Sequence, residues 1–237
     1  FDRARVGIEQ HREDLPHALD AMRSHLDPDT VPVRALDRIS ETLSLFDAPY
    51  DTAAHRDAGV ALAAQLGIST LDEAPSASFS WDGTTIRARS EAYVLIHEIA
   101  HWQIAPPARR GLADFGLGAG PETGRVGDAD AARCVSNADK EREELLASLL
   151  GILWEAALGQ PAIHAFIEQN WLEAWDRPAA AAQFARTVDG LVARGLIDGS
   201  GAPYAGKDAT AAISSRNSGH ASAETSTMAD AGPSLGK

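Results

Sequence analysis

One apolar stretch, residues 92–102, constrains this chain more than any other part of it. It reads AYVLIHEIAHW and contains neither Gly nor Pro, which predicts a buried helix. Buried segments normally exclude ionisable side chains that lack partners, yet this one carries His97, Glu98 and His101. The four-residue spacing places both histidines on one helical face, where their imidazoles can reach the same divalent ion. The stretch therefore predicts a metal site on a core helix.

Glu98 projects about 100° away from His97 around the helix axis. Its carboxylate can therefore reach a metal-bound water, but it is not placed as a third ligand from the same helix. Glu98 is thus a candidate catalytic residue. The alternative is a core helix whose histidines only bond to backbone carbonyls. The position of the helix, between a strand-like segment and a turn, favours the metal site.

A third protein ligand is expected from another element, because two histidines alone hold a metal ion poorly. The next long helix is predicted to begin at Asn137 or Asp139, with an acidic first turn before a leucine-rich face. Glu144 is the preferred ligand, and Glu141, one turn earlier, is the second choice. Acids at this position can instead lie exposed and favour the helix dipole, and we expect this role for Glu143.

The remaining pattern predicts an α+β fold that is mainly helical. Apolar residues recur at helical spacing in four further segments, which we predict to be helices: 35–46, 52–66, 163–175 and 178–196. Residues 76–89 instead favour β-structure, with Asp82-Gly83 as the turn of a hairpin. We expect this hairpin beside the metal helix, as in zincin-like folds. Ser90 is the expected helix cap, and the Gly-rich residues 116–130 are an expected loop or lid over the site.

Three regions are predicted along the chain. Residues 1–34 are charged, interrupted by prolines and interpreted as an N-terminal extension with short helices at 6–13 and 16–25. The metal-binding catalytic domain is expected over 35–198. Residues 199–237 consist mainly of Ala, Ser, Gly, Thr and Asp, and they cannot bury enough apolar area to offset their ordering entropy. We therefore expect a disordered tail there.

Composition limits the kinds of partner that we expect the protein to bind and the compartment in which we expect it. The net charge of −13 argues against general nucleic-acid binding, which needs a basic face. No apolar run approaches the ~20 residues of a membrane span, and the first residues do not resemble a signal peptide. The single cysteine, Cys134, cannot form an internal disulfide. We expect a cytoplasmic protein that binds neither nucleic acid nor membrane.

Two histidines and a carboxylate suit two chemistries. Zinc lowers the pKa of its bound water to ~7, and Glu98 then takes the proton, as in a metallopeptidase. Fe(II) with the same ligands forms a facial triad whose open positions admit O₂ and substrate. The spacing alone favours the zinc chemistry, because it is the commoner use of this motif.

A wider set of residues resembles the elongation factor P hydroxylase family. The resemblance lies in residues 96–102, in Ala108-Arg109-Arg110 and in Asp114-Phe115-Gly116. The break at 157–161 is also similar, and it extends the resemblance over about residues 86–195. The resemblance implies a non-haem iron monooxygenase, on a metallopeptidase-like scaffold, that hydroxylates a modified lysine of a translation factor.

The resemblance also implies roles for individual residues. His97, His101 and Glu144 would hold Fe(II), since Glu141 and Glu144 both fall where the family carries acids. Glu98 would handle protons rather than act as a hydrolytic base. The alternative remains a zinc metallopeptidase that uses the same ligands.

The resemblance also implies roles for three residues that are not metal ligands. Arg109 and Arg110 would bind a protein substrate, with elongation factor P as the candidate partner. Asp114 would orient a ligand histidine.

Overall fold

The computed structural model describes residues 12–204. Its architecture is α+β and mainly helical, which confirms the predicted class at that level. The helices are α1 (Leu15–Ser24), α2 (Val31–Glu41), α3 (Ala53–Gln65), α4 (Ala92–Ile104), α5 (Pro107–Arg110), α6 (Val126–Ala131), α7 (Asn137–Ala157), α8 (Ala162–Glu168) and α9 (Pro178–Ala193). The strands are β1 (Ser69–Leu71) and β2 (Thr85–Arg87), and 3₁₀ turns span Thr42–Leu45, Pro75–Ala77 and Ala113–Gly116. Within this part of the chain, no helix combines the length and apolarity that a bilayer crossing requires.

Helices α4 and α7 pack against each other at the centre of the core. Leu95, Ile96 and Ile99 of α4 are fully buried, as expected for a helix that is apolar on most sides. The two helices approach closely at Gly151 of α7, where a Cβ would lie in van der Waals contact, 3.4 Å from the Cα of His97. A larger side chain there would push the helices apart. The pairing of α4 with α7 therefore sets the position of the predicted metal helix.

The small sheet differs from the predicted hairpin. Strand β1, which was not predicted, pairs in parallel with β2 in the register Thr70–Ile86. The hairpin itself is reduced to a single antiparallel bridge between Trp81 and Ile86. The carboxylate of Asp82 accepts hydrogen bonds from the backbone N–H groups of Thr84 and Thr85, both at 3.0 Å, and so closes the connection as a local turn. The paired strand before the turn is consequently very short.

Both ends of the described chain differ from the predicted boundaries. Helix α1 lies within the predicted 1–34 extension, yet its apolar face is buried in the core against α2 and α9. The predicted helix at 6–13 lies largely outside the described residues. At the other end, Arg34 and Arg38 donate to the backbone oxygens of Gly199 and Ser200 at 2.6 and 2.9 Å. Residues 199–204 are therefore attached to α2, and 205–237 lie outside the described residues.

Several helix boundaries also move. The predicted helix at 35–46 is α2 followed by a 3₁₀ turn, and the helix predicted at 163–175 ends at Glu168. Ser90 does not cap α4. Instead the carboxylate of Asp51, distant in sequence, accepts from the backbone N–H of Ala92 at 2.7 Å. A sequence pattern cannot show this cap, because the acceptor comes from another part of the fold.

Candidate metal centre

Helices α4 and α7 bring three donor atoms together. The Nε2 atoms of His97 and His101 are 2.9 Å apart. The Oε2 atom of Glu144 lies 3.2 Å from Nε2 of His101 and 3.4 Å from Nε2 of His97. Within residues 12–204, these side chains are the only group of three or more His, Cys, Asp or Glu residues with converging ligand atoms. The structure thus places the two predicted histidines with the preferred carboxylate.

The size of this triangle fits a metal ion. The circle through the three donor atoms has a radius of about 1.8 Å, which does not exceed the usual metal–ligand distance of about 2.0–2.2 Å, so all three atoms could bind one ion. All three side chains line the same cavity, so the ion's further coordination positions can face that space. The group can therefore hold a divalent ion and leave room for water or substrate.

The three glutamates near the start of α7, which are Glu141, Glu143 and Glu144, have distinct positions. Glu141 is exposed and does not belong to the converging group. Glu143 is not the exposed, dipole-favouring acid that was predicted, because it is only 8% exposed. Its Oε1 lies 3.8 Å from Nδ1 of His101. The signal was present in the sequence: Glu143 lies three residues before the buried Leu146 and seven before the buried Leu150, and so shares their helical face.

The ionisable groups of the centre strongly perturb one another. Burial disfavours the charged form of His101, but the facing carboxylate of Glu143 and the hydrogen-bonded carboxylate of Glu144 outweigh this effect and raise its pKa to about 10. Burial lowers the pKa of His97. Burial would raise the pKa of Glu144, but hydrogen bonds to His101 and His97 hold it well below its ordinary value. The same balance, with His101 and Arg109 as partners, lowers the pKa of Glu143. These shifts favour a charged His101 beside ionised Glu143 and Glu144 in the metal-free protein.

Glu98 faces the same cavity as the three ligand candidates. Burial raises the pKa of its carboxyl group to about 7, and the nearby charges of Asp114 and Glu144 act in the same direction against the opposing effect of His101. Within the described part of the chain, its carboxylate has no hydrogen-bond partner. A carboxyl group with this pKa can accept and release a proton near neutral pH. Glu98 is therefore placed for the proton-handling role predicted for it.

The cavity has a volume of about 300 Å³ and an unevenly charged lining. Apolar and aromatic walls come from Tyr93, Val94, Phe115 and Leu117. Its other lining residues include four acids: Glu98, Asp114, Glu122 and Glu144. Residues 117–122 belong to the predicted Gly-rich loop, and they form part of the wall. Among the described residues, no basic side chain other than the two histidines lines this cavity, so its lining favours a cationic group over an anionic one.

A second, more open cavity of about 620 Å³ shares His97, Glu144 and Gln169 with the first. The metal centre can therefore be approached from two cavities. Sequence reasoning missed Gln169, Glu122 and Tyr93 as lining residues. Tyr93 could have been found, because it lies four residues before His97 and so shares its helical face. Gln169 and Glu122 carry no comparable signal, since they come from irregular segments.

The two arginines do not line either of these cavities. Arg109 forms a buried ion pair with Glu143, and its Nη1 donates to the backbone oxygen of Phe115 at 2.8 Å. Arg110 donates to the backbone oxygen of Ala105 at 3.0 Å, and its guanidinium stacks over the ring of Trp102. Both guanidinium groups are thus used in contacts within the fold. Binding of substrate by these two residues stays a prediction without support from their positions.

Asp114 is buried at the cavity, but it does not hydrogen-bond to a ligand histidine. Its Oδ1 accepts from the backbone N–H of Trp81 at 3.3 Å, and its Oδ2 accepts from the hydroxyl of Thr123 at 2.6 Å. These two hydrogen bonds hold Asp114 against Trp81 and Thr123 and so stabilise the cavity wall. The acid that faces His101 is instead Glu143. The turn at 113–116 directs Asp114 towards Trp81 and Thr123.

Residues 78–81, next to the cavity, have backbone groups that the segment 114–125 engages. Asp114 donates its backbone N–H to the oxygen of Trp81 at 2.9 Å, and Arg125 donates to the oxygen of Ser78 at 2.8 Å. With the bond from the N–H of Trp81 to Asp114, these contacts occupy positions that an added strand would need. Addition of a peptide substrate as a strand along residues 78–81 would require the segment 114–125 to be displaced.

Comparison with known proteins identifies no relative: no family model matches the chain, and no curated protein or solved structure is significantly similar to it.

Proposed function

We propose that this protein is a metal-dependent enzyme, specifically a non-haem Fe(II) monooxygenase that hydroxylates a side chain held in the 300 Å³ cavity. The observation that carries the proposal is the convergence of His97, His101 and Glu144 at one wall of that cavity. Two imidazole nitrogens and one carboxylate oxygen are the ligands of a facial triad. When bound, Fe(II) would supply the redox chemistry that activates O₂. The zincin-like character of the scaffold is part of this proposal.

The residues around the centre would serve distinct purposes in this reaction. One oxygen atom of O₂ enters a C–H bond, and the other leaves as water after taking up two electrons from an external reductant and two protons. Glu98 is placed to hold or transfer a proton at its carboxylate. Phe115 and Leu117 exclude water from one side of the substrate. Arg109 and Arg110 contribute to the fold rather than to this space.

The acidic lining supports a positively charged substrate group. Glu98, Asp114 and Glu122 face the cavity, together with the ligand Glu144. A modified lysine side chain is long, largely aliphatic and cationic, which suits apolar walls with acids among them. We therefore retain the modified lysine of elongation factor P as the proposed target, on the strength of the resemblance around residues 96–116.

The direct test loads the purified protein with Fe(II) under anaerobic conditions, then adds O₂, a reductant and lysylated elongation factor P. Mass spectrometry is expected to show the gain of one oxygen atom on the substrate. His97→Ala, which removes a ligand, is expected to bind iron poorly and to give no product. An iron-loaded wild-type protein that inserts no oxygen would contradict the proposed reaction, whereas a failure to bind any metal would contradict the site itself.

A zinc metallopeptidase is the second candidate, and Glu98 is the observation that favours it. A carboxyl group with a pKa of about 7 beside the metal centre is suited to take a proton from a zinc-bound water. The engaged backbone groups of residues 78–81 argue against substrate binding by strand addition. Zinc-loaded protein is therefore assayed on a peptide library with Glu98→Gln as the control. Cleavage that falls by about 10²–10⁴-fold in this variant would support the peptidase.

A further inference from the structure

We propose that Glu143 and Arg109 form a positioning pair, which orients His101 for metal binding and holds the turn that carries Phe115 against the same imidazole. The inference rests on the proposed function only in that His101 is a metal ligand. It concerns neither the reaction nor the substrate. The pair lies outside the three-ligand group, and it connects that group to the cavity wall.

His101 and Glu143 each have a buried polar atom without a hydrogen bond in the described part of the chain, and the two atoms face each other. Nδ1 of His101 and Oε1 of Glu143 are both buried, and neither atom has a hydrogen-bond partner among residues 12–204. They face each other at 3.8 Å. If Nε2 of His101 binds a metal, the neutral ring carries its proton on Nδ1, and this N–H needs an acceptor. A shift of about 0.9 Å would bring Glu143 into hydrogen-bond distance, so Glu143 is placed to select the tautomer that binds metal.

Arg109 stabilises the charged carboxylate of Glu143. Arg109 forms an ion pair with Oε2 of Glu143. The side chain of Glu143 is only 11% exposed, and that of Arg109 is only 14% exposed. A buried carboxylate without such a partner is strongly disfavoured. Arg109 therefore compensates the charge of Glu143 and occupies one carboxylate oxygen. The other oxygen is left to face His101.

Arg109 also connects the pair to a strained turn at Asp114 and Phe115. Asp114 and Phe115 have φ angles of 42° and 55°, a left-handed conformation that residues other than Gly rarely adopt. Such residues keep this conformation only when their surroundings hold them. One restraint is the hydrogen bond from Arg109 to the backbone oxygen of Phe115, at 2.8 Å. The Phe115 ring then stacks on the His101 ring, with 5.7 Å between the ring centroids.

Together these contacts hold the His101 imidazole at its Nδ1 edge and on one ring face. The preorganised ring directs Nε2 towards Nε2 of His97 and the carboxylate of Glu144. Loss of the pair is therefore expected to weaken metal binding and to change the ligand geometry. A residue that acted only on folding would leave the geometry of the remaining bound metal unchanged.

The test titrates Co²⁺ into the full chain and follows the visible absorption of the bound ion, with circular dichroism as the check of folding. The variants are Glu143→Ala, Glu143→Gln and the double variant Arg109→Met/Glu143→Leu. Glu141→Gln is the matched control, because it removes an exposed acid from the same helix. The double variant removes both charges together, so that no unpaired ion is left buried.

We expect Glu143→Ala and the double variant to bind Co²⁺ about 10–100-fold more weakly than the wild type, with an altered absorption spectrum. Glu143→Gln is expected to keep a spectrum closer to that of the wild type than Glu143→Ala does, because its single amide oxygen can still accept from Nδ1–H of His101 when the amide NH₂ group turns towards Arg109. Glu141→Gln is expected to match the wild type. If Glu143→Ala does not fold, the double variant decides the outcome.

Two outcomes separate the possible failures. If the wild type binds no Co²⁺ and no other divalent metal, the proposed function fails together with this inference. If the wild type binds Co²⁺ and the folded double variant has the same affinity and spectrum, the positioning role is refuted while the metal site stands.

Discussion

Raising the pH from 7 to 9 is expected to tighten metal binding by about a hundredfold, because His101 must lose a proton before its Nε2 can bind an ion. In the metal-free protein, Glu143 and Glu144 raise the pKa of this imidazole to about 10. Only about one molecule in a thousand then has a neutral His101 at pH 7, and about one in ten at pH 9. The apparent affinity should therefore rise about tenfold per pH unit.

The assay is a Co²⁺ titration in competition with a chelator of known affinity at pH 7, 8 and 9, corrected for the protonation of the chelator. Calorimetry in buffers of different ionisation enthalpy counts the protons released, and about one proton is expected at pH 7. His97→Ala, which removes a ligand, is the control for binding elsewhere on the protein. An affinity that changes less than about threefold over this range, with no proton release, would refute the reasoning about His101.

Three further predictions follow from the packing of the site. Glu144→Gln is expected to weaken metal binding by at least about a hundredfold, whereas Glu141→Gln should not change it; equal losses in a Co²⁺ titration would contradict the ligand assignment. Gly151→Leu should force α4 and α7 apart, lower the free energy of unfolding by about 1–3 kcal/mol and weaken metal binding, whereas Gly151→Ala should be tolerated. Urea denaturation and the same titration check this pair. Asp51→Ala should lower the free energy of unfolding by about 1 kcal/mol, because it removes the acceptor for the first amide of α4. An unchanged urea midpoint would contradict that role.

Local patterns were sufficient for the part of the site that lies within one helix. His97, Glu98 and His101 are separated by less than two turns, so the helical repeat alone determines their relative directions. The same repeat predicted a long α7 with Glu144 near its start, which the structure contains. Its N-cap is Ser136, one residue before the earlier of the two predicted starts. The predicted α+β, mainly helical class is also confirmed, because the helical repeat of apolar residues marks most of the helices.

Contacts between distant segments could not be predicted in this way. The sequence indicated a hairpin at 76–89, but the hydrogen bonds of Asp82 closed the turn locally and β2 paired with β1. Asp114 was expected at a histidine, but it fastens Trp81 and Thr123. Arg109 was expected at the substrate, but it pairs with Glu143. Each difference involves a partner more than ten residues away or in another element.

The amino-acid sequence by itself determined which side chains share a helical face, because the repeat of the α-helix depends only on the local backbone. It thereby determined the two histidines, the acid between them and a small set of acids from which a third ligand could come. Only the tertiary structure decided that Glu144 completes the triangle, that Glu143 faces His101 and that Glu141 stays exposed. The physical reason is that the close approach of α4 and α7 at Gly151 sets which faces of the two helices meet.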